Sequence, residues 1–304
     1  MSLIEQAAKR LEQLRKAGVE LPDEDAPTQR QMRTPVRPDV APEAPARQSP
    51  SPAAQTSKRI ELDLQAIGAA GLLVPQETNS RLANEYRVIK RPLIANAMGK
   101  GSTPVPNGNL IMVTSALPGE GKSFTAINLA ISIAMEMDNT VMLVDADVAR
   151  PSVLNMLGLP PAEGLMDVVS ENSVDISGVL LRTNVEKLSI LPSGTMHPRA
   201  TELLSSDAMI RLLEDMARRY EDRIIIFDSP PLLLTTEARA LATHMGQIVV
   251  VVRAEETLET AVKEALSTIE ACPLKMLVLN QVRQGAREGY GYGYSLAYGY
   301  GNEK

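Results

Sequence analysis

Residues 110–123 of this 304-residue chain join an apolar run, a Pro-Gly turn and the sequence Gly-Lys-Ser. Residues 110–114 have the apolar, β-branched character of a buried strand, and apolar residues recur at near-helical spacing after Ser123. A glycine-rich turn between a strand and a helix is the setting of a phosphate-binding loop, in which backbone N–H groups surround phosphate oxygens. The stretch therefore predicts an α/β fold built around a nucleotide.

The residue types within this loop suit that chemistry. Gly119 and Gly121 permit a tight backbone curl, Lys122 can reach the β- and γ-phosphates, and Ser123 can ligate Mg²⁺. We expect the loop to bind ATP with Mg²⁺ through Pro118, Gly119, Glu120, Gly121, Lys122, Ser123 and Phe124. Ala116 departs from the G-x-x-x-x-G-K-[ST] pattern at its first glycine, and an ordinary glycine-rich turn is the alternative interpretation.

Composition restricts the class of protein. The net charge of −6 argues against a nucleic-acid-binding surface, and a single cysteine, Cys272, excludes an internal disulfide and fits a reducing compartment. No run approaches 18 consecutive apolar residues, and the N-terminus lacks a basic start with an apolar signal core. We expect a cytoplasmic protein, in which any membrane association comes through a partner.

The chain divides into four parts by sequence character. Residues 1–20 predict a short amphipathic docking helix, and residues 21–58 form a linker that contains eight prolines. A globular pattern then extends over 59–284 and includes a second helix at about Asn79–Met98. Residues 285–304 form a flexible, low-complexity tail rich in Gly and Tyr.

Within 59–284, near-continuous apolar runs alternate with helical patterns. This alternation predicts a doubly wound, mostly parallel sheet with helices on both faces. The predicted strands are Leu110–Thr114, Val141–Val144, Leu188–Leu191, Ile224–Phe227, Ile248–Val252 and Met276–Leu279.

Carboxylates follow two of these strands. Asp145 and Asp147 come after the strand at 141–144, and Asp228 ends the strand at 224–227. Ligands of open α/β sheets bind at the carboxyl ends of the strands, and the i, i+2 spacing of the first pair predicts that both lean toward one crevice. Because buried carboxylates without a cation are costly, these residues together predict a site for Mg²⁺ and phosphate.

Three segments in order, Ala116–Ser123, Val144–Pro151 and Phe227–Pro231, followed by the Tyr-rich tail, resemble the Walker A, A′ and B motifs of the bacterial tyrosine autokinases of exopolysaccharide export. The stretch 85–94 is most similar to the branch associated with exosortase systems. The resemblance covers roughly 80–300 and implies a P-loop fold related to partitioning ATPases. It also implies a homo-oligomeric ring, in which copies phosphorylate one another's tails, and a membrane-embedded co-polymerase as activator.

The resemblance implies a role for each matching residue. Lys122 and Asp145 would be catalytic, with Asp145 accepting the proton of the tyrosine hydroxyl, while Ser123, Asp147 and Asp228 would hold Mg²⁺. Arg150 matches the Arg-Pro of the second motif and would contact the nucleotide. The family's ring helix carries Glu-x-x-Arg-x-x-Arg, whereas the matching positions here are Asn84, Arg87 and Lys90.

Five of the seven tyrosines fall within eleven residues of the tail: Tyr290, Tyr292, Tyr294, Tyr298 and Tyr300. The leading hypothesis is therefore an ATP-dependent protein-tyrosine autokinase that modifies these residues in trans and regulates polysaccharide polymerisation or export. One alternative is a positioning-type ATPase switch, although Leu117 occupies the place of that class's signature lysine. The other is a nucleotide-bound scaffold that signals through assembly alone.

Overall fold

The computed structural model describes residues 57–101, 103–170, 174–219 and 223–283. The predicted helix at 1–20, nearly all of the linker at 21–58, and the tail at 285–304 with its five tyrosines lie outside the described residues.

Eight strands form one sheet in the described residues, in the spatial order β1-β4-β5-β3-β6-β2-β7-β8. All neighbouring pairs are parallel except β4 and β5. The predicted mostly parallel α/β fold is thus confirmed, and each of the six predicted strands is present. The strands are β1 (Lys58–Arg59), β2 (Leu110–Ser115), β3 (Thr140–Asp145), β4 (Leu181–Arg182), β5 (Leu188–Leu191), β6 (Arg223–Asp228), β7 (Gln247–Arg253) and β8 (Leu274–Asn280).

Helices connect these strands and cover both faces of the sheet. They are α1 (Leu64–Ala69), α2 (Arg81–Ala97), α3 (Lys122–Ala134), α4 (Val153–Met156), α5 (Leu165–Ser170), α6 (Ile176–Val179), α7 (Ala200–Leu204), α8 (Asp207–Arg219), α9 (Thr236–Ala242) and α10 (Glu259–Ser267). None of the helices in the described part of the chain combines the length and apolar character needed to cross a membrane.

The core consists of two apolar layers, one on each side of the sheet. Alternate residues of a strand face opposite sides, so Leu110 and Met112 of β2 belong to one layer, while Ile111 and Val113 belong to the other. All six residues of β2 are buried. This double burial explains why the central strands read as continuous apolar runs instead of alternating ones.

Helix α2 packs on α3 and holds the segment that the resemblance assigns to ring contacts. Lys90 is buried, with its Nζ 2.7 Å from a Glu136 carboxylate oxygen and donating to the Ser132 carbonyl at 2.5 Å. Arg87 donates to the Asn84 side chain at 2.6 Å. Lys90 therefore stabilises the helix pair within its own chain and is not available at the surface for a contact with another copy.

Candidate active site

The phosphate-binding loop occupies the turn between β2 and α3. Gly121 caps α3 with φ of +93°, and Gly119 has φ of +81°, a region that side chains rarely adopt. A Cβ at Gly121 would also collide with the side-chain amide of Asn280. The backbone therefore requires glycine here, and helix α3 begins at Lys122 with its positive N-terminal end beside the loop.

Hydrogen bonds attach the phosphate-binding loop to residues at the carboxyl ends of β7 and β8. The buried Glu120 carboxylate accepts hydrogen bonds from the Leu117 amide at 2.7 Å, the Arg253 amide at 3.5 Å and the Thr257 hydroxyl. The Asn280 side chain donates to the Glu120 carbonyl at 2.9 Å, and Gln281 donates to the Gly119 carbonyl at 3.1 Å. These contacts fix the loop conformation from behind.

In front of the loop, at the carboxyl ends of the strands, lies a cavity of about 740 Å³. Its size falls within the range of small-molecule and cofactor sites, about 300–1,000 Å³. Its walls are the loop, the segment after β3 and the segment after β6. It is lined by Pro118, Gly119, Gly121, Lys122, Ser123, Phe124, Asp147, Ala149, Arg150, Ser152, Met156, Pro230, Pro231, Leu234 and Thr235.

Lys122 is the electrostatic centre of this cavity. Its Nζ lies 2.7 Å from Asp147 Oδ2 and 4.0 Å from Asp228 Oδ1, and it donates to the Ser123 hydroxyl at 3.4 Å. The Ser152 hydroxyl donates to the Ser123 oxygen at 2.8 Å. Three strand ends thus bring one cation, two carboxylates and two hydroxyls together.

Asp228 lies completely buried at the end of β6. Neither carboxylate oxygen accepts a hydrogen bond among the described residues. Burial raises the pKa of this carboxyl to about 7, although the Lys122 charge 4.0 Å away lowers it. An orphaned buried carboxylate is costly, and a hard cation with oxygen ligands would remove that cost. The donor set therefore fits Mg²⁺.

The number of protein ligands also suits this ion. Mg²⁺ is usually bound by one or two carboxylates together with substrate phosphates and water, not by an all-protein cage. Asp147, Asp228 and the Ser123 hydroxyl satisfy that pattern.

Asp145 occupies a different environment, although it ends β3 only two residues before Asp147. Its Oδ2 accepts from the Ser152 and Val153 amides at 3.1 and 3.0 Å, and its buried Oδ1 has no hydrogen bond within the described structure. Burial raises the pKa of Asp145 to about 6, the two amides lower it and the Asp147 charge raises it. Asp145 lines a second cavity of about 270 Å³ with Pro151 and Leu154.

The two carboxylates therefore do not share one crevice as their spacing predicted. Strand alternation puts i and i+2 on one side only while the strand continues, and β3 ends at Asp145. The chain then turns, so Asp147 faces the larger cavity while Asp145 holds the start of α4. Segment 150–155 separates the two cavities.

Most of the residues predicted to contact the nucleotide line the larger cavity: Pro118, Gly119, Gly121, Lys122, Ser123, Phe124 and Arg150. The Glu120 side chain is the exception, because it points away from the cavity and stabilises the loop. Ser152 and Asn280 were not found by motif reasoning. Asn280 ends a strand at the same sheet edge as the aspartates, which is the signal that could have found it.

Comparison with known proteins agrees with this geometry. Residues 108–279, more than half of the chain, match the family model described as an AAA domain. Over 183 residues the chain is 33% identical to the tyrosine-protein kinase YwqD of Bacillus subtilis, covering 60% of this chain and 76% of YwqD. The chain belongs to the bacterial tyrosine-protein kinase family. The family resemblance inferred from the motifs is confirmed.

A solved structure supports the same relationship. The crystal structure of the chimerical protein CapA2B2 superposes with a TM-score of 0.60 at 28% identity, covering 75% of this chain and 95% of that one. Other tyrosine-kinase relatives are longer. The chain is 29% identical to the putative tyrosine-protein kinase EpsB of Ralstonia nicotianae over 63% of its own length, but it spans only 26% of EpsB.

Proposed function

We propose that this chain is an ATP-dependent protein-tyrosine kinase that phosphorylates the tail tyrosines of other copies of itself and thereby regulates exopolysaccharide polymerisation or export. The observation that supports this most is the convergence of Lys122, Ser123 and Asp147 on one nucleotide-sized cavity, with the buried Asp228 carboxylate 4.0 Å from Lys122, in a chain of this family. Residues 59–284 would form the kinase domain and 285–304 its substrate.

In this proposal Lys122 binds the β- and γ-phosphates, with the loop amides and the N-terminal end of α3 around them. Pro118, Gly119, Gly121, Phe124 and Arg150 complete the nucleotide site. Ser123, Asp147 and Asp228 would hold Mg²⁺, which supplies charge neutralisation on the transferred phosphoryl group. Because Lys122 contacts Asp147, its engagement with phosphate requires that this ion pair loosen.

Asp145 is proposed as the base. Its pKa of about 6 leaves it mostly ionised at neutral pH and close to the value that favours proton transfer. Because segment 150–155 separates Asp145 from the larger cavity, this step requires that segment to shift. Oδ1 would then accept the tyrosine hydroxyl proton, while the phenolic oxygen bonds to the γ-phosphorus and the bond from phosphorus to the ADP oxygen breaks. Its Oδ2 would keep its two amide bonds throughout.

The proposed partners follow from the same interpretation: ATP and ADP, further copies of the chain, and a membrane-embedded co-polymerase that recruits a cytoplasmic kinase to the inner membrane. The buried position of Lys90 supports a ring contact that differs from the family's usual helix, with the exposed Asn84 and the half-buried Arg87 as its remaining residues. Membership of the exosortase-associated branch stays a prediction.

Intact mass measurement tests the kinase activity. We expect the full chain to gain up to five phosphates on incubation with Mg·ATP, and Lys122→Met to gain none while folding normally. Full labelling of a folded Lys122→Met chain would contradict the mechanism. Phosphate release without tyrosine labelling would favour an ATPase switch, and neither activity would favour a scaffold.

Mixing two variants tests the direction of transfer. An active chain truncated before residue 285 can phosphorylate only another copy, and a full-length Lys122→Met chain can only receive phosphate. We expect the mixture to label the Lys122→Met chain. Labelling that occurs only on an active chain with its own tail would exclude transfer in trans.

A further inference from the structure

Strand β8 ends the sheet beyond β7, so within the described structure one of its edges has no neighbouring strand. Its side chains alternate between half-buried and exposed along all seven residues. Met276 and Val278 pack against one apolar layer, whereas Leu277 and Leu279 are 57% and 58% exposed. The strand therefore presents free backbone N–H and C=O groups beside an exposed row in which Lys275 is charged and Leu277 and Leu279 are apolar.

The exposed side chains of β8 lie on a sheet face that helices cover over the neighbouring strands. Leu277 and Leu279 stand next to Val250 and Val252 of β7, which belong to the layer beneath α10. Helix α10 buries Ala265 on this face but leaves the two leucines in solvent. An open strand edge with apolar side chains promotes aggregation, and proteins normally cover such an edge or place charges on it.

The tail has the alternating sequence pattern of a strand that could pair with the free edge of β8. From residue 290 to 300, every even position is Tyr or Leu, and every odd position is Gly, Ser or Ala. Side chains of an extended strand alternate between faces, so the five tyrosines and Leu296 would share one face and the small residues the other. A flexible linker has no reason to keep this period over eleven residues.

We propose that residues 290–300, when unphosphorylated, pair with the free edge of β8 in the same chain as an antiparallel strand, with the tyrosines on the face of Leu277 and Leu279. Residues 281–289 separate the two segments, which is enough chain to reverse direction. Aromatic and aliphatic side chains opposite one another stabilise antiparallel pairs. The occupant is the same chain because a tether this short favours it over a second copy at micromolar concentration.

The structure positions the start of this tether. Gln281, directly after β8, has φ of +59° and donates to the phosphate-binding loop, and Arg283 lies 3.3 Å from a Glu255 carboxylate oxygen. The chain is thus held at the end of β8, where a reversal must begin. Every register that puts tyrosines on the leucine face pairs an odd-numbered residue of β8 with an even-numbered residue of the tail.

Phosphorylation would release the strand, and this step rests on the proposed function. Residues two apart on one face of a strand are separated by roughly 7 Å. Each phosphotyrosine adds about −1.5 to −2 charge, and charges closer than about 8 Å repel one another at physiological salt. The alternation that aligns the tyrosines on β8 therefore also aligns their phosphates, so modification replaces an apolar face with a repulsive one.

Hydrogen exchange of the peptide covering 274–280 tests the pairing in the phosphatase-treated, full-length Lys122→Met chain. We expect at least tenfold slower exchange than in a chain truncated before residue 285. Changing all five tail tyrosines to Phe should preserve the protection, whereas Leu277→Lys with Leu279→Lys should remove it. Met196→Lys, at a side chain that is 77% exposed, is the matched control and should change nothing.

A variant of identical composition separates strand pairing from a merely sticky tail. Exchanging Gly293 with Tyr294 and Ala297 with Tyr298 puts two tyrosines on the opposite face, as a register slip would. We expect this variant to lose the protection of β8. Protection that survives the exchange, or that never differs from the truncated chain, would overturn the proposal. Protection that falls on tenfold dilution would assign the edge to a second copy and overturn the intramolecular pairing.

The release step has a separate readout. After incubation of the active chain with Mg·ATP, protection of 274–280 should disappear as phosphate accumulates, and phosphatase should restore it. Full protection at five phosphates would refute the release. If no phosphate is ever added, the proposed kinase function fails, while the exchange experiments on the Lys122→Met chain still decide whether the tail covers β8.

Discussion

Replacement of Glu120 by Ala tests whether the phosphate-binding loop depends on its attachment to β7. Glu120 is 2% exposed and accepts three hydrogen bonds, from Leu117 within the loop and from Arg253 and Thr257 after β7. Motif reasoning assigned this residue to nucleotide contact. Its side chain makes the supporting contact described above, so replacing that side chain should affect stability before it affects chemistry.

The magnitude follows from those bonds. The Arg253 contact is long at 3.5 Å and adds little, which leaves two bonds to a charged acceptor at about 1.5–3 kcal/mol each. Part of this gain offsets the cost of burying a carboxylate. We therefore expect Glu120→Ala to lower the free energy of unfolding by about 3 kcal/mol. For a domain of this size that corresponds to a loss of roughly 6–12 °C in Tm.

Urea unfolding and ADP binding measure the two consequences. The matched control is Glu163→Ala at an exposed glutamate, which should change stability by less than about 0.5 kcal/mol. Glu120→Ala should also weaken ADP binding, because the amides of the loop are no longer held in place. An unfolding free energy equal to that of Glu163→Ala would refute the inference that Glu120 anchors the loop.

Three further predictions concern Asp145, Ser152 and Asp228. Asp145→Asn can keep both amide bonds through its carbonyl oxygen, so we expect wild-type stability with tyrosine phosphorylation reduced at least about 100-fold; near-normal transfer would exclude Asp145 as the base. Ser152→Ala removes one hydrogen bond to Ser123, so the Mg²⁺ concentration for half-maximal labelling should rise about fivefold, and an unchanged value would contradict the contact. In metal-free protein, the folded pKa of Asp228, about 7, exceeds its ordinary 3.8, so its contribution to stability is complete below about pH 4 and lost as the pH rises through 7. Asp228→Asn should therefore be more stable than wild type by several kcal/mol at pH 8 and equal to it at pH 4. A difference in urea midpoint between variant and wild type that is the same at both pH values would contradict this.

The fold was predictable because its central strands are buried on both faces. Continuous apolar runs rich in β-branched residues, such as 224–227 and 248–252, are typical of buried parallel strands in a chain that also carries helical patterns between them. The two-residue strands β1 and β4 escaped prediction because two residues show no period. The antiparallel pairing of β4 with β5 also depends on a contact distant in sequence, which no local pattern reports.

The site was predictable wherever a motif is local. The loop from Pro118 to Ser123 and the aspartates at strand ends are short segments whose chemistry requires particular residue types. The hydrogen bonds that hold the loop in place are not local. Asn280 and Gln281 donate to loop carbonyls that are 160 and 162 residues away along the sequence. Such contacts depend on the order of strands in the sheet, and β8 approaches the loop only because β7 lies beside β2.

The separation of Asp145 from Asp147 shows how one strand end can serve two purposes. Asp147 is ion-paired with Lys122 in the larger cavity, so under the proposed function it would help set the charge of the phosphate site. Asp145 is buried behind segment 150–155 and has a raised pKa, so it can exchange a proton near neutral pH. Where two carboxylates have contrasting environments, one can stay ionised as a fixed charge while the other transfers a proton. Because Asp145 holds the Ser152 amide while the Ser152 hydroxyl contacts Ser123, the candidate base and the phosphate-binding loop are joined by a single residue. A shift of α4 must therefore alter the position of both.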